Sequence, residues 1–168
     1  MNATPATRVM ILDTQRIERK LLRMAWQIWE YNSHRSAVTL VGIAGGGLPI
    51  AERLATHLRA ISPLKVSILS LELSKKSPVN SEVKLSGPIA DTSLVLVDDV
   101  ANSGRTLTYA LRPLMDAAPE KLLIAVLVER KHKSFPVTPD IIGHQVATTL
   151  QENIVVDFDK ESIAAYLE

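Results

Sequence analysis

The sequence predicts an α/β fold in which a mostly parallel, twisted sheet is flanked by helices. Continuous β-branched runs such as AVTLVGI, residues 37–43, are typical of strands buried on both faces. These runs alternate with amphipathic helical segments, as expected for a parallel sheet. The 168 residues include 46% hydrophobic residues, and no linker or repeat divides them. We therefore expect residues 1–168 to form a single domain.

The predicted helices and strands alternate along most of the chain, as this fold class requires. The first helix is predicted over residues 15–31, with Asp13 or Thr14 as its cap and one apolar face. Further strands are predicted over 37–43, 65–73, 93–99, 121–129, 139–146 and 153–158. Residues 45–60 are predicted to form a Gly-rich turn followed by a helix, and further helices are predicted over 105–118 and 161–167. The polar stretch 74–92 and the basic stretch 130–140 are predicted loops, the first long enough to be functional or mobile.

Composition and charge exclude several classes of function. The chain has no cysteine, which excludes disulfides and cysteine-based zinc sites. The formal net charge of +1 does not indicate a general binder of polyanions. No apolar run approaches the ~20 residues of a membrane span, and the first residues do not resemble an export signal. We expect a cytoplasmic protein without a membrane partner.

The segment VLVDDVANSGRT, residues 95–106, carries the strongest chemical signal. Its turn leads directly into a helix, whose free N–H groups and dipole favour a phosphate. Just before the turn, Asp98 and Asp99 can accept the two neighbouring hydroxyl protons of a ribose. The sequence therefore predicts a site for ribose 5-phosphate, with mere capping of the turn by the two acids as the alternative. The missing lysine excludes a triphosphate P-loop, and Ile50 stands where the dinucleotide-binding glycine pattern that begins at Gly45 needs its last glycine.

Residues 94–106 resemble the phosphoribosyl-pyrophosphate (PRPP) motif of type I phosphoribosyltransferases. Nearly the whole chain is similar to the bifunctional pyrimidine-operon attenuator and uracil phosphoribosyltransferase family, notably in ILDTQRIERKLLRMAWQIWE, LPIAERLA and AVLVERKHKSFPVTPDIIGHQVATT. The resemblance implies the type I phosphoribosyltransferase fold with a small hood near the C-terminus. It also implies a reaction in which PRPP and a nucleobase, with uracil favoured, give a nucleotide and pyrophosphate.

The resemblance further implies roles for individual residues. The ribose hydroxyls would be held by the catalytic residues Asp98 and Asp99. The 5-phosphate would be held by Ala101, Asn102, Ser103, Gly104, Arg105 and Thr106. Pyrophosphate would be held by Ala44, Gly45 and Gly46 and by a closing loop with Lys75 and Lys76. The base would be held by a hood containing Glu129, Arg130, Ile142, His144 and Gln145. Mg²⁺ would be bound mainly through PRPP, and the sequence identifies no metal ligands.

The chain departs from this family where pyrophosphate would bind. The family carries a Lys-Thr-Arg-Gly pattern where this chain has Ala44, Gly45, Gly46 and then glycine. A second departure lies at residues 69–72, where Leu-Ser-Leu-Glu replaces Tyr-Arg-Asp-Asp. Loss of cationic groups weakens the stabilisation of a leaving anion, unless the lysines of the closing loop compensate. An active enzyme and a non-catalytic sensor of PRPP or nucleotide therefore both stay open.

Three further questions stay open at this stage. The basic face between Arg16 and Arg23 and the loop 130–133 could contact RNA phosphates, although a solvated charged face is favoured at this net charge. His144 could stack on a base or be an ordinary loop residue, and Glu129 could bind a base N–H or only pair with Arg130. A homodimer or higher homo-oligomer is implied by the resemblance, and a dimer contact could use apolar surface at Leu21, Leu22, Trp26 and Trp29.

Overall fold

The computed structural model describes residues 8–73, 82–149, 152–159 and 161–168. In chain order its elements are β1 (Val9–Leu12), α1 (Thr14–Tyr31), β2 (Ala37–Ile43), α2 (Gly47–Ile61), β3 (Lys65–Glu72), β4 (Lys84–Leu85), β5 (Ser93–Ala101), α3 (Arg105–Asp116), β6 (Lys121–Arg130), β7 (Ile141–Val146), β8 (Ile154–Phe158) and β9 (Ile163–Leu167). Helix α1 begins as predicted, because the Asp13 side chain accepts a hydrogen bond from the Arg16 N–H at 2.8 Å.

The main sheet has the order β4-β3-β2-β5-β6-β7, and only the short β4 pairs antiparallel within it. One face is covered by α1 and α2, through buried side chains such as Leu21 and Leu54. The other face is covered by α3, through Leu107 and Leu114. The predicted α/β class is therefore confirmed, with two apolar layers that isolate the strands from water.

The chain changes direction across the sheet between β2 and β5. From β2 the chain crosses to β3 on one side, whereas β5 and β6 follow on the other side. Ligands in such sheets bind beyond the carboxyl ends of the strands at this switch point. The turn after β2, residues 44–46, and the turn after β5, residues 102–104, both lie there.

A second, antiparallel sheet of order β1-β9-β8 forms the hood. The prediction of a helix over 161–167 is wrong, because Ile163 and Ala165 are buried alternately and their strand pairs with both β1 and β8. This pairing overrides the helical propensity of the alanines and leucine. Placing Glu129, Arg130 and residues 142–145 in the hood is also wrong, because β6 and β7 pair as the last two strands of the main sheet.

The exposed face of α1 carries large apolar side chains. Trp26 is 49% exposed and packs at 5.2 Å between ring centroids against the partly buried Trp29. Leu22 is also exposed, whereas Leu21 belongs to the core. In the part of the chain that the structure describes, no helix is long and apolar enough to cross a membrane.

Candidate functional site

A cavity of about 240 Å³ opens at the carboxyl end of β5. Residues 98–107 line one side, and residues 154–156 of β8 line the other. Pockets for drug-sized ligands usually measure about 300–1,000 Å³, so the enclosed part suits a sugar phosphate better than a larger ligand. The main sheet and the hood therefore meet over the segment that the sequence singled out.

The floor of the cavity is the turn that leads into α3. Gly104 precedes the helix with φ +80°, a left-handed conformation that favours glycine. Because glycine offers no capping side chain, the first turn of α3 can present backbone N–H groups to an anion. Ser103 lies at the exposed rim, where its hydroxyl is 3.3 Å from the Arg105 N–H. This arrangement suits a phosphate monoester.

The two acids stand beside this turn in different surroundings. Asp98 is 1% exposed, and its Oδ1 accepts a hydrogen bond from the Asp99 N–H at 3.0 Å. Asp99 is partly exposed, and its Oδ1 accepts from the Val100 N–H at 2.8 Å. Both residues line the cavity. Carboxylates held in this way can accept hydrogen bonds from the hydroxyls of a ligand.

The glycine-rich turn after β2 lies against the two acids. Gly45 has φ +96°, and the Ala44 N–H donates to the Leu71 carbonyl at 2.8 Å. A Cβ added to Gly46 or Gly47 would meet atoms of Asp99 or Asp98. The structure thus brings the expected pyrophosphate turn beside the expected ribose site. Lys75 and Lys76 lie outside the described residues.

The Glu129 carboxylate is committed to protein partners. It is 2% exposed, pairs with the Lys133 ammonium, and accepts a hydrogen bond from Gln145 Nε2 at 2.7 Å. Both carboxylate oxygens are therefore engaged within the described residues. The expected contact with a base N–H would compete with these partners.

The loop that carries Lys133 also contacts residues 102–104, the turn expected to bind a phosphate (the phosphate turn). The N–H groups of Ser134 and Phe135 donate to the Ser103 carbonyl at 3.0 and 3.1 Å. The Phe135 ring packs edge-on against Tyr109 of α3, with centroids 6.4 Å apart. The pair formed by Glu129 and Lys133 is thus linked to the phosphate turn through this loop.

The structure does not bring the other base-binding candidates into the described lining of the cavity. Arg130 donates to the Thr149 carbonyl, and the Ile142 carbonyl accepts from Arg23 at 2.9 Å. His144 lies in a separate shallow groove. Residues 154–156 line the cavity, whereas the sequence predicts only a short strand for them. Their signal is weak, because an apolar strand near a chain end has many structural uses.

The groove at His144 is basic. It is lined by Ile11, Leu12, Arg16, Arg19, Lys20 and His144. Partial burial lowers the pKa of His144, and the charges of Lys20 and Arg16 lower it further. Burial also lowers the pKa of Lys20, with smaller effects from Arg23 and Arg16. Crowding of positive charge makes this groove attractive to an anion.

Comparison with known proteins agrees with this geometry. Residues 8–159 match the family described as phosphoribosyl transferase domain. The chain is 35% identical to the bifunctional protein PyrR of Geobacter sp. (strain M21), with 94% of each chain covered. It is 33% identical to the bifunctional protein PyrR of Ligilactobacillus salivarius, with 89% of this chain and 91% of the relative covered.

Solved structures show the same fold at lower identity. A hypoxanthine phosphoribosyltransferase from Staphylococcus aureus superimposes with a TM-score of 0.76 at 16% identity, covering 98% of this chain and 96% of that one. A hypoxanthine-guanine phosphoribosyltransferase from Bacillus anthracis gives 0.72 at 19% identity, covering 94% and 96%. With the matched domain and the PyrR relatives, these findings show that the chain belongs to the type I phosphoribosyltransferases and, among them, to the PyrR family.

Proposed function

We propose that the protein transfers the ribose-5-phosphate group of PRPP to a nucleobase, with uracil favoured, and releases pyrophosphate. The observation that carries this proposal is the cavity in which both acids, the turn at residues 102–104 and the start of α3 come together. The start of α3 can bind the phosphate, and the adjacent carboxylates can accept hydrogen bonds from the sugar hydroxyls. Family membership supports the same reaction class.

In the proposed reaction the protein mainly positions the reactants. Asp98 and Asp99 accept the ribose hydroxyls, and residues 101–106 hold the 5-phosphate. The bond from the anomeric carbon to the pyrophosphate oxygen breaks, a bond to a base nitrogen forms, and the proton of that nitrogen is released. The apolar side chains and backbone of residues 154–156 offer a wall for a flat base. Orientation and exclusion of water supply much of the rate in such a displacement.

Mg²⁺ fits this site as a partner of the substrate. Carboxylate oxygens are ligands that Mg²⁺ accepts, and Asp98 and Asp99 provide them. Among the described residues there is no group of three or more histidine, acidic or cysteine side chains that would form a complete metal site. We infer that the ion is held chiefly by PRPP oxygens and water, and that it neutralises part of the charge on pyrophosphate.

The test is release of pyrophosphate from PRPP and Mg²⁺ with uracil, hypoxanthine, guanine, xanthine and adenine in parallel. Turnover with uracil that Asp99→Asn reduces, while Asp116→Asn at the exposed end of α3 does not, supports the proposal. Turnover with a purine alone would overturn uracil as the substrate. PRPP binding without turnover would favour the non-catalytic sensor, for which the uncharged residues 44–46 argue.

RNA binding is a second candidate function, favoured by the basic groove. Arg16, Arg19 and Lys20 line it together, and the PyrR relatives are named bifunctional. Phosphate contacts from such side chains would make affinity depend on salt. Tighter, salt-dependent binding to pyrimidine-operon leader RNA than to an unrelated RNA of equal length supports this function. Equally weak binding to both RNAs would overturn it.

A further inference from the structure

The backbone conformation of Gly46 does not by itself require glycine. Its φ of −75° and ψ of −29° lie in the right-handed region that any residue adopts. A Cβ built on Gly46 would lie 1.9 Å from Asp99 Oδ2 and 2.2 Å from Asp99 Cγ. Because nonbonded atoms do not approach so closely, the Asp99 carboxylate fills the space that a side chain at position 46 would need.

The carboxylate is held there from its other side. Asp99 Oδ1 accepts from the Val100 N–H at 2.8 Å, while Oδ2 faces Gly46. The neighbouring Gly47 has a different obstacle, since its added Cβ would lie 2.4 Å from the Val97 carbonyl oxygen. The contact at Gly46 is therefore with an acid that can turn, whereas the contact at Gly47 is with fixed backbone.

We propose that Gly46 is a positioning residue that acts through Asp99. Its missing side chain lets the carboxylate rest against the turn after β2 and keeps it on the Val100 N–H. In the turn conformation of this chain, where Gly45 has φ +96°, a side chain at position 46 turns the carboxylate out of this orientation. The proposal rests on the proposed function, in which Asp99 accepts hydrogen bonds from the ribose hydroxyls. It implies that the residue types in the turn 44–46 affect the affinity for the ribose.

A double-mutant cycle separates this contact from a general effect on folding. Gly46→Ala is made in the natural protein, in Asp99→Asn, which keeps the bulk of the acid, and in Asp99→Gly, which removes its side chain. We expect Gly46→Ala to lower Tm by about 2–12 °C in the first two backgrounds, because overpacking is destabilising. In Asp99→Gly we expect no loss, or a gain of up to about 4 °C, because alanine restricts the unfolded chain.

Two other glycines supply matched controls. Gly47→Ala should lower Tm in every background, because removing the Asp99 side chain leaves the Val97 carbonyl in place. Gly87→Ala should change little in any background, because among the described residues its added Cβ would meet only Leu69 Cδ2 at 3.4 Å. Equal loss with Gly46→Ala in all three backgrounds, or no loss in any, would overturn the contact.

The ligand readout is the affinity for Mg²⁺-PRPP measured by calorimetry. Gly46→Ala should weaken binding about ten- to hundredfold in the natural protein, as expected for losing a hydrogen bond to a charged group. It should weaken binding no further in Asp99→Gly. Unchanged affinity in Gly46→Ala would overturn the coupling to the ribose. If the natural protein binds no PRPP, the proposed function fails, while the melting cycle still decides whether Gly46 positions Asp99.

Discussion

Replacing Lys133 by methionine tests the buried ion pair behind the phosphate turn. The change keeps most of the side-chain volume but leaves the Glu129 carboxylate, 2% exposed, with Gln145 as its remaining partner in the described structure. Removing one member of a buried pair typically costs about 3–5 kcal/mol. Because the Lys133 side chain is 12% exposed, we expect the lower end, about 3 kcal/mol. For a chain of this length that corresponds to a fall in Tm of about 6–12 °C.

The assay is thermal unfolding followed by circular dichroism, with Lys131→Met as the matched control. Lys131 lies in the same loop and is exposed, so its replacement should change Tm little. The double variant Glu129→Leu with Lys133→Met should recover much of the loss, because an apolar pair leaves no buried charge. Equal Tm for Lys131→Met and Lys133→Met would contradict this prediction. So would a double variant whose loss of Tm equals the sum of the losses in Glu129→Leu alone and Lys133→Met alone.

The remaining predictions concern the phosphate turn and the basic groove. Gly104→Ala should lower stability by about 1–2 kcal/mol in urea unfolding, because its φ of +80° disfavours a side chain; an unchanged midpoint would contradict this. Because the pKa of His144 lies below its usual value of 6.5, the unfolded chain takes up its proton first as pH falls. Above pH 6.5, the natural protein and His144→Gln should therefore have similar Tm. Below pH 6.5, the natural protein should lose more stability than His144→Gln until the pH falls below the pKa of His144 in the folded protein. Parallel curves of Tm against pH would argue against this. If RNA binds the groove, Arg19→Ala should reduce the salt slope by about 0.7 for one lost phosphate contact on a single strand, and an unchanged slope would exclude that contact.

Local patterns predicted the parts of the fold that depend on neighbouring residues. The cap at Asp13 and the buried strand predicted over residues 93–99, which the structure extends to Ala101, follow from residues close together in the chain. The strand β9 could not be predicted in this way, because its conformation depends on pairing with two strands at once, β8 just before it and β1 about 155 residues earlier. Short segments of mixed propensity are decided by such distant partners.

The candidate site was predictable to a similar extent. Asp98, Asp99 and the turn up to Gly104 lie in one stretch, so one motif predicts that they are neighbours. The contribution of residues 154–156 depends on how the hood folds over the main sheet, which no local pattern specifies. The resemblance implies base contact for Glu129, with pairing to Arg130 as the alternative, but only the structure reveals Lys133 and Gln145 as its partners.

Titration of Mg²⁺-PRPP into the natural protein and into Asp99→Asn tests directly whether the cavity at the end of β5 holds a ribose 5-phosphate. We expect saturable binding of one PRPP per chain, weakened about tenfold or more in Asp99→Asn, because the change replaces one acceptor oxygen by an NH₂ donor and removes the negative charge that strengthens hydrogen bonds from the ribose hydroxyls. Absence of binding to the natural protein, or equal affinity for both proteins, would contradict it.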